Sequence, residues 1–447
     1  MNATSRFLEN WNKLETELRD EPPWLAAARS HGRERFAALG FPTTRQEDWK
    51  YTSVKPLTEL AFELPDGDAL DDNRIADAIA RWHVPGASLA IIVDGRWRED
   101  LSHLVDLPDC LRIESLRRAI VRDPAWVQEH LGQGVDNETQ AFTALNTALW
   151  RDGLVIHVEA GLAVEQPIQV LCIATGARRP QEIQLRHLIV LETNAELRLI
   201  EHDVGLEGRD ADHDEHPTFS NIVTEISLGE NASLDRYTIE ACGRRSYHVG
   251  RLVTRQAHDA RLRSHVFTLS GKFLRDNFES VLAETGSECT FNGLFIASED
   301  DLVDHHTSID HTAPHCTSRE LYKGILFDRA QGVFNGKVFV RQDAQGTDSE
   351  QNSKNLLLSP RAVINTKPQL EIWADDVKCT HGATIGQLDA EALFYLRARG
   401  IGLDEAKSML IRAFAAELLD GIRFLPLRLQ LEGELAEHLA LLWERPA

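Results

Sequence analysis

The feature that most constrains this chain is a long series of short strand-like runs. From about residue 153 to residue 388, runs rich in Val, Ile, Leu and Thr alternate with turns. Three turns share a motif of a turn residue, a small residue, any residue and an apolar residue, beginning at Asn194, Asn231 and Asp259. These starts lie 37 and then 28 residues apart, and looser copies begin at Gly286 and Ala330. Strand-only repeats of this length predict stacked coils of a solenoid.

The repeats place the chain in the mainly β class, with a right-handed parallel β-helix as the predicted core. We predict a mostly helical N-terminal domain over residues 1–150, the β-helix over residues 151–388 and a helical domain over residues 389–447. An irregular β-sandwich is the competing fold, and the periodicity favours the β-helix.

Helical patterns flank the repeats. Phe7, Leu8, Trp11, Leu14 and Leu18 recur at spacings of three and four, which puts them on one helix face. A second helix is predicted over Trp24–Leu39, where Gly40 and Pro42 follow, and a strand over Ser88–Val93.

Three helices are predicted after the repeats. Asp389 is a candidate N-cap for the first and Asp404 for the second, which carries an apolar stripe, and the third covers Leu431–Trp443. Such helices can close a solenoid end and offer a face to a partner. The stripe around Met409, Leu410, Ala413 and Phe414 is the predicted partner-binding surface.

The net charge of the chain limits the classes of partner that it can bind. The chain has 48 Lys and Arg against 70 Asp and Glu, a net charge of −22, so nucleic acid and anionic membranes should be repelled. The first twenty residues carry charges and no apolar core of a secretory signal, and no run approaches the roughly 20 apolar residues of a membrane span. We expect a cytoplasmic protein.

Nucleotide and dinucleotide loops are missing from the sequence. It contains no Gly-x-x-x-x-Gly-Lys-Ser/Thr string, no Gly-x-Gly-x-x-Gly string and no Gly-x-Ser-x-Gly elbow. We therefore expect a non-enzymatic chain that binds no nucleotide, with any ATP dependence supplied by another subunit.

Cysteine and histidine supply the candidate metal ligands. The six cysteines are scattered and form no Cys-x-x-Cys pair, so neither a zinc site nor a disulfide framework is indicated. Cys379 and His381 stand two residues apart on a predicted strand and should share one face. A thiolate and an imidazole are iron ligands, so this pair could form half of a cluster site. The alternative is a buried cysteine and a turn histidine.

Two further groups could hold a metal. His311, His315 and Cys316 lie in a run dense in histidine and aspartate, although stacked polar side chains of a β-helix explain them as easily. The acidic, His-containing loop of residues 202–217 lacks the spacing of a calcium loop and is predicted to be a solvated excursion.

Two strings resemble one protein family. The string Arg-Gln-Glu-Asp-Trp-Lys-Tyr-Thr at 45–52, and the residues 352–384 with Asp-Asp-Val-Lys-Cys-Thr-His-Gly at 375–382, resemble signatures of the SufB/SufD family of iron–sulfur cluster assembly proteins. Within that family the strings resemble the SufD branch. Around Trp49 the first string could form a docking surface or pack onto the β-helix.

The resemblance implies a scaffold subunit that pairs with a SufB-like protein through the β-helices and carries a SufC-like ABC ATPase on its C-terminal helices. It implies a transient iron–sulfur cluster shared with the SufB-like subunit, with Cys379 and His381 on this side of the interface. By itself the chain could form a homodimer, and the sequence does not locate a flavin. The alternatives are the SufB-type cluster-bearing role and a β-helix polysaccharide-active enzyme.

Overall fold

The chain winds into coils whose strands form two long, mainly parallel sheets. The computed structural model describes residues 3–15, 17–18, 21–65, 71–104, 107–176, 179–206 and 216–443. In that part of the chain, the strands from Leu154 to Gly386 alternate between the sheets as about eight coils of a parallel β-solenoid. This confirms the predicted β-helix core, and its handedness stays a prediction.

The first sheet holds the odd-numbered coil strands, in the order β19 to β5 followed by β1 and β2. Its strands are β1 Ser88–Val93, β2 Arg96–Trp97, β5 Ile168–Ala174, β7 Glu196–Gly205, β9 Ser233–Ala241, β11 Arg261–Ser270, β13 Glu288–Ala297, β15 Thr317–Leu326, β17 Thr347–Leu357 and β19 Val377–Gly386.

The second sheet holds the even-numbered coil strands, followed by β3. Its strands are β3 Leu111–Ser115, β4 Leu154–Val158, β6 Gln181–Leu191, β8 Thr218–Leu228, β10 Ser246–Gln256, β12 Phe273–Leu282, β14 Leu302–His311, β16 Gln331–Val340 and β18 Val363–Ile372.

The turn motif seen in the sequence forms one corner of the coils. Asn194, Asn231 and Asp259 adopt left-handed backbone angles, with φ of 58°, 54° and 55°. This conformation is open to Asn and Asp at low cost. Each is followed by a fully buried Ala. Asn231 also donates a hydrogen bond of 2.8 Å to the Asn194 side chain in the preceding coil, so the corners stack as a ladder.

The helix Asp72–Trp82 packs on the first sheet, whereas the other N-terminal helices cover the outer face of the second sheet. Their apolar side chains pack on Phe219, Tyr247 and Phe273, which point away from the solenoid interior. The helices are α1 Ala3–Leu14, α2 Pro23–Leu39, α3 Lys55–Thr58, α4 Asp72–Trp82, α5 Leu116–Arg122, α6 Pro124–His130 and α7 Ala141–Leu149, with one 3-10 turn at Glu47–Trp49. The predicted helix over 24–39 and strand over 88–93 are confirmed.

The C-terminal helices are α8 Ala390–Arg397, α9 Leu403–Leu419 and α10 Leu425–Trp443. Asp389 caps α8 as predicted, accepting hydrogen bonds from the backbone N–H groups of Glu391 and Ala392. The N-cap of α9 is Gly402 rather than Asp404, which lies inside the first turn. The last helix begins six residues before the predicted start, because Pro426 sits in its first turn, where a missing N–H costs nothing.

Two of these helices, α9 and α10, lie on the outer face of the first sheet and not at the solenoid end. Ile411, Ala415 and Leu418 of α9 pack with outward side chains of the first sheet such as Ile325. The expectation that they close an end is therefore wrong for α9 and α10, because their apolar side chains are buried against the apolar outer face of the first sheet. No helix in the described ranges is long and apolar enough to span a membrane.

Candidate functional site

The last coil, formed by β18 and β19, has an uncovered edge. Each strand pairs on one side with the preceding coil, and no strand among the described residues pairs on the other. Most residues of β19 are exposed, and large apolar side chains of this coil face solvent: Val363, Ile372, Trp373 and Ile385. An unpaired sheet edge with exposed apolar groups is a surface on which another chain can add strands.

Cys379 and His381 both lie on this edge strand. In register, Cys379 is opposite Ser349 and His381 is opposite Gln351, both of which are buried between the sheets. The two candidate ligands therefore share the inward face of β19, as the two-residue spacing predicts. Cys379 is half-buried beside a small apolar cluster, and His381 is exposed.

The Cys379 thiol is not activated by its own surroundings. Burial is the largest influence and raises its pKa, and the negative charge of Asp348 acts in the same direction. A thiol with a raised pKa is a poor ligand until a metal displaces its proton. Iron or a partner would have to drive that ionisation.

Polar side chains continue inward from this edge. The Gln351 side-chain amide donates to Glu320 Oε2 at 2.5 Å, and Ser318 donates to Ser349 at 2.8 Å. Burial raises the pKa of Glu320 to about 7. The last coils thus enclose polar side chains in their interior.

The predicted group of His311, His315 and Cys316 is not brought together as a three-ligand site within the described ranges. His311 points inward and shares a hydrogen bond of 2.9 Å with Ser318, and burial lowers its pKa to about 4. His315 occupies the left-handed corner position, with φ of 58°, and Cys316 takes the buried place that Ala fills elsewhere. The pair is another copy of the corner motif, which the sequence repeat could have revealed.

The side chains of Asp304, His305 and His306, which precede this group on β14, do not share one face of the strand. His305 points inward, whereas Asp304 and His306 point outward and lie 3.1 Å apart, Oδ1 to Nε2. Asp304 also pairs with Arg275 and accepts a hydrogen bond from Thr52. Arg275 and Thr52, both partners of the Asp304 carboxylate, are fully buried.

The string at 45–52 packs against the solenoid. The Arg275 guanidinium lies 4.5 Å from the centre of the Trp49 ring and donates to the Asp48 carbonyl at 2.9 Å. Asp48 forms an ion pair of 2.7 Å with Lys337, two coils beyond Arg275. The packing interpretation of Trp49 agrees with these contacts. Together with the Thr52–Asp304 hydrogen bond and the Glu47–Lys367 ion pair, they tie the N-terminal segment to four successive strands of the second sheet.

The predicted partner-binding residues divide between two faces of α9. Met409 is 37% exposed and Ala413 is exposed, Leu410 is half-buried, and Phe414 packs towards the first sheet under the Lys323 ammonium group at 4.6 Å. On the neighbouring helix α8, which has no buried residue, Phe394 and Tyr395 are 74% and 55% exposed. The sequence pattern missed these two, although large apolar residues on a short helix are a signal.

The loop of residues 202–217 falls largely on residues 207–215, outside the described ranges. Its first residues belong to β7, where burial lowers the pKa of His202 to about 3 and raises that of Asp203 to about 7.

Two family models cover most of the chain. The SufBD core domain of the SUF system for FeS cluster assembly matches residues 173–414, and the SufBD protein N-terminal region matches residues 1–170. This chain belongs to the SufBD family of iron–sulfur cluster assembly proteins. The resemblance found in the sequence is confirmed.

Three relatives align with this chain over nearly its whole length. The iron–sulfur cluster assembly protein SufD of Escherichia coli is 32% identical over 98% of this chain and 97% of its own. An iron–sulfur cluster assembly SufBD family protein of Synechocystis is 34% identical over 89% of this chain and 87% of its own. SufD of Bacillus subtilis is 23% identical over 92% and 93%. Membership favours an assembly role over the polysaccharide-active alternative.

Proposed function

We propose that this chain is a non-catalytic, cytoplasmic scaffold subunit that forms half of an iron–sulfur cluster site at the edge of its last coil. The observation that carries the proposal is the placement of Cys379 and His381 on β19, an edge strand that nothing in the described chain covers. Two ligands on an open edge leave the remaining coordination positions of the cluster to another protein.

The partner at this edge is a SufB-like subunit. Unpaired backbone groups of β18 and β19 can be satisfied by strands of a second solenoid, and Trp373 and Ile385, each about half exposed, would be buried there. A cluster built between two chains and released when they separate suits assembly better than storage. Alone, the chain could cover the same edge with a second copy of itself.

Cluster formation tests the edge site. We expect anaerobic reconstitution of the complex with Cys379→Ala or His381→Ala to lower the iron and sulfide content per complex severalfold, because each variant removes one ligand. Matched controls are Cys110→Ala and His258→Ala, which remove a half-buried cysteine and an exposed histidine far from the edge along the chain. Wild-type iron and sulfide in both edge variants would remove these residues from the site.

The second proposed surface binds a SufC-like ATPase through α8 and the outward side of α9. It comprises Phe394, Tyr395, Leu403 and Met409, which are exposed although apolar. Exposed aromatic residues of this kind are the usual anchors of an interface. Lys323 and Lys354 hold α9 to the sheet through Glu417, at 2.6 and 3.2 Å, so this surface is presented on a fixed helix.

Co-purification tests the ATPase surface. The double variant Phe394→Ala/Tyr395→Ala should lower the amount of ATPase retained by at least about tenfold, since hot-spot truncations cost roughly 2 kcal/mol or more. Val121→Ala, on an exposed residue of α5, is the control. Equal retention by both variants would refute this surface and leave the edge site untouched.

A further inference from the structure

Three buried donor side chains from three strands meet inside the solenoid, several coils away from the open edge. Glu240 comes from β9, His248 from β10 and Asp276 from β12. His248 Nε2 lies 3.4 Å from Asp276 Oδ1 and 4.0 Å from Glu240 Oε1. The three donor atoms all lie within 4.8 Å of one another, and the three residues are each at most 2% exposed.

A glycine makes room for this cluster. Gly250 pairs in register with Asp276, and a Cβ at Gly250 would lie 2.2 Å from Asp276 Oδ1 and 2.9 Å from His248 Nε2. A glycine within a buried strand weakens the strand, and it is typical of a place where another group must approach the backbone closely. Here the approaching groups are the carboxylate and the imidazole.

Some polar atoms of the cluster lack hydrogen-bond partners. Among the described residues, Asp276 Oδ2 and His248 Nδ1 are buried and accept or donate no hydrogen bond. His305 Nε2 lies 3.5 Å from Asp276 Oδ2. Buried polar atoms without partners are uncommon in folded proteins, and a bound ion is one of the groups that can satisfy them.

The charges around the cluster are also incomplete. A small cavity of about 20 Å3 is lined by the carboxyl groups of Glu201, Asp203, Glu240 and Asp276. Its two arginines, Arg236 and Arg251, form ion pairs with Glu201 and Glu279. A bound cation would supply the positive charge that the carboxyl groups of the cluster lack.

We propose that Glu240, His248 and Asp276 bind one divalent first-row transition-metal ion inside the solenoid. One imidazole nitrogen and two carboxylate oxygens suit Fe2+ or Mn2+, whereas the thiol and imidazole of the edge strand suit an iron–sulfur cluster. The site is therefore distinct in position and donor set from the Cys379–His381 pair. It does not depend on the proposed scaffold function.

Binding of Mn2+ tests the site, since this ion prefers oxygen and imidazole donors to thiolate. The full chain with Cys379→Ala and His381→Ala serves as the parent, which removes the edge ligands. Calorimetric titration of this parent should show one Mn2+ per chain. Asp276→Asn and His248→Gln should each weaken Mn2+ binding by at least about tenfold. Mutating a residue that only supports a metal ligand already lowers metal affinity by about tenfold or more, and these two residues are proposed ligands themselves.

The matched control is Glu320→Gln, which removes another buried carboxyl group of the interior without touching the cluster, and it should bind as the parent does. If a cluster variant fails to fold, anomalous diffraction from Mn2+-loaded parent crystals decides, with the ion expected between the three side chains. An ion found elsewhere, no stoichiometric binding to the parent, or parent-like affinity in both folded cluster variants would each overturn the proposal.

Discussion

The middle coils and the last coil of this solenoid have the same kinds of strand and corner, but they differ in how far other parts of the chain cover them. Around β12 and β14 the outer face carries the N-terminal segment, with the Arg275–Asp304 pair fully buried beneath it. At β18 and β19 the edge is open, and His381 is exposed. The N-terminal segment buries the polar groups beneath it and so fixes their protonation and their partners. The middle coils therefore provide stability, while the open last coil remains available for binding.

The largest expected effect lies in the covered region. Asp304→Ala leaves the buried Arg275 guanidinium unpaired, so the free energy of unfolding should fall by about 3–5 kcal/mol. Asp310→Ala on the same strand removes an ion pair with Arg341, which is 47% exposed, and should cost less than about 1 kcal/mol. Urea unfolding measures both, and equal losses would show that the N-terminal segment does not seal the middle coils.

A smaller effect is expected in the polar interior between the two regions. Glu320 has a folded-state pKa of about 7 against 4.5 ordinarily, so the folded protein holds a proton that the unfolded chain has lost. Stability should therefore fall as pH rises from about 4.5 to 7, by about 3 kcal/mol from this group. Glu320→Gln should remove that part of the dependence in unfolding measured at pH 5 and pH 8, and an unchanged dependence would place Glu320 in contact with water.

The smallest effect concerns the corner that both regions share. His315→Val puts a β-branched residue at φ of 58° and should lower the free energy of unfolding by about 1–2 kcal/mol. His315→Asn should be nearly neutral, because Asn194 and Asn231 occupy the same position in earlier coils. Thermal unfolding compares the two, and equal destabilisation would mean that the imidazole itself matters, as a ligand would.

Much of the architecture was predictable because it is periodic. Asn194, Asn231 and Asp259 marked a corner that depends on local backbone angles, and Cys379 and His381 share a face because strands alternate with a period of two. The same alternation separates His305 from Asp304 and His306. The interpretation of His315 and Cys316 as candidate ligands overlooked that the corner motif had recurred there.

The sequence by itself determined the solenoid, the strand that carries Cys379 and His381, and the family, since these depend on local conformation and on contiguous strings. The tertiary structure decided which face the C-terminal helices cover, that β19 is an open edge, and that Glu240, His248 and Asp276 meet. Those outcomes depend on contacts between residues far apart in the chain. Their register is set by corners of unequal length, which no single stretch of sequence records.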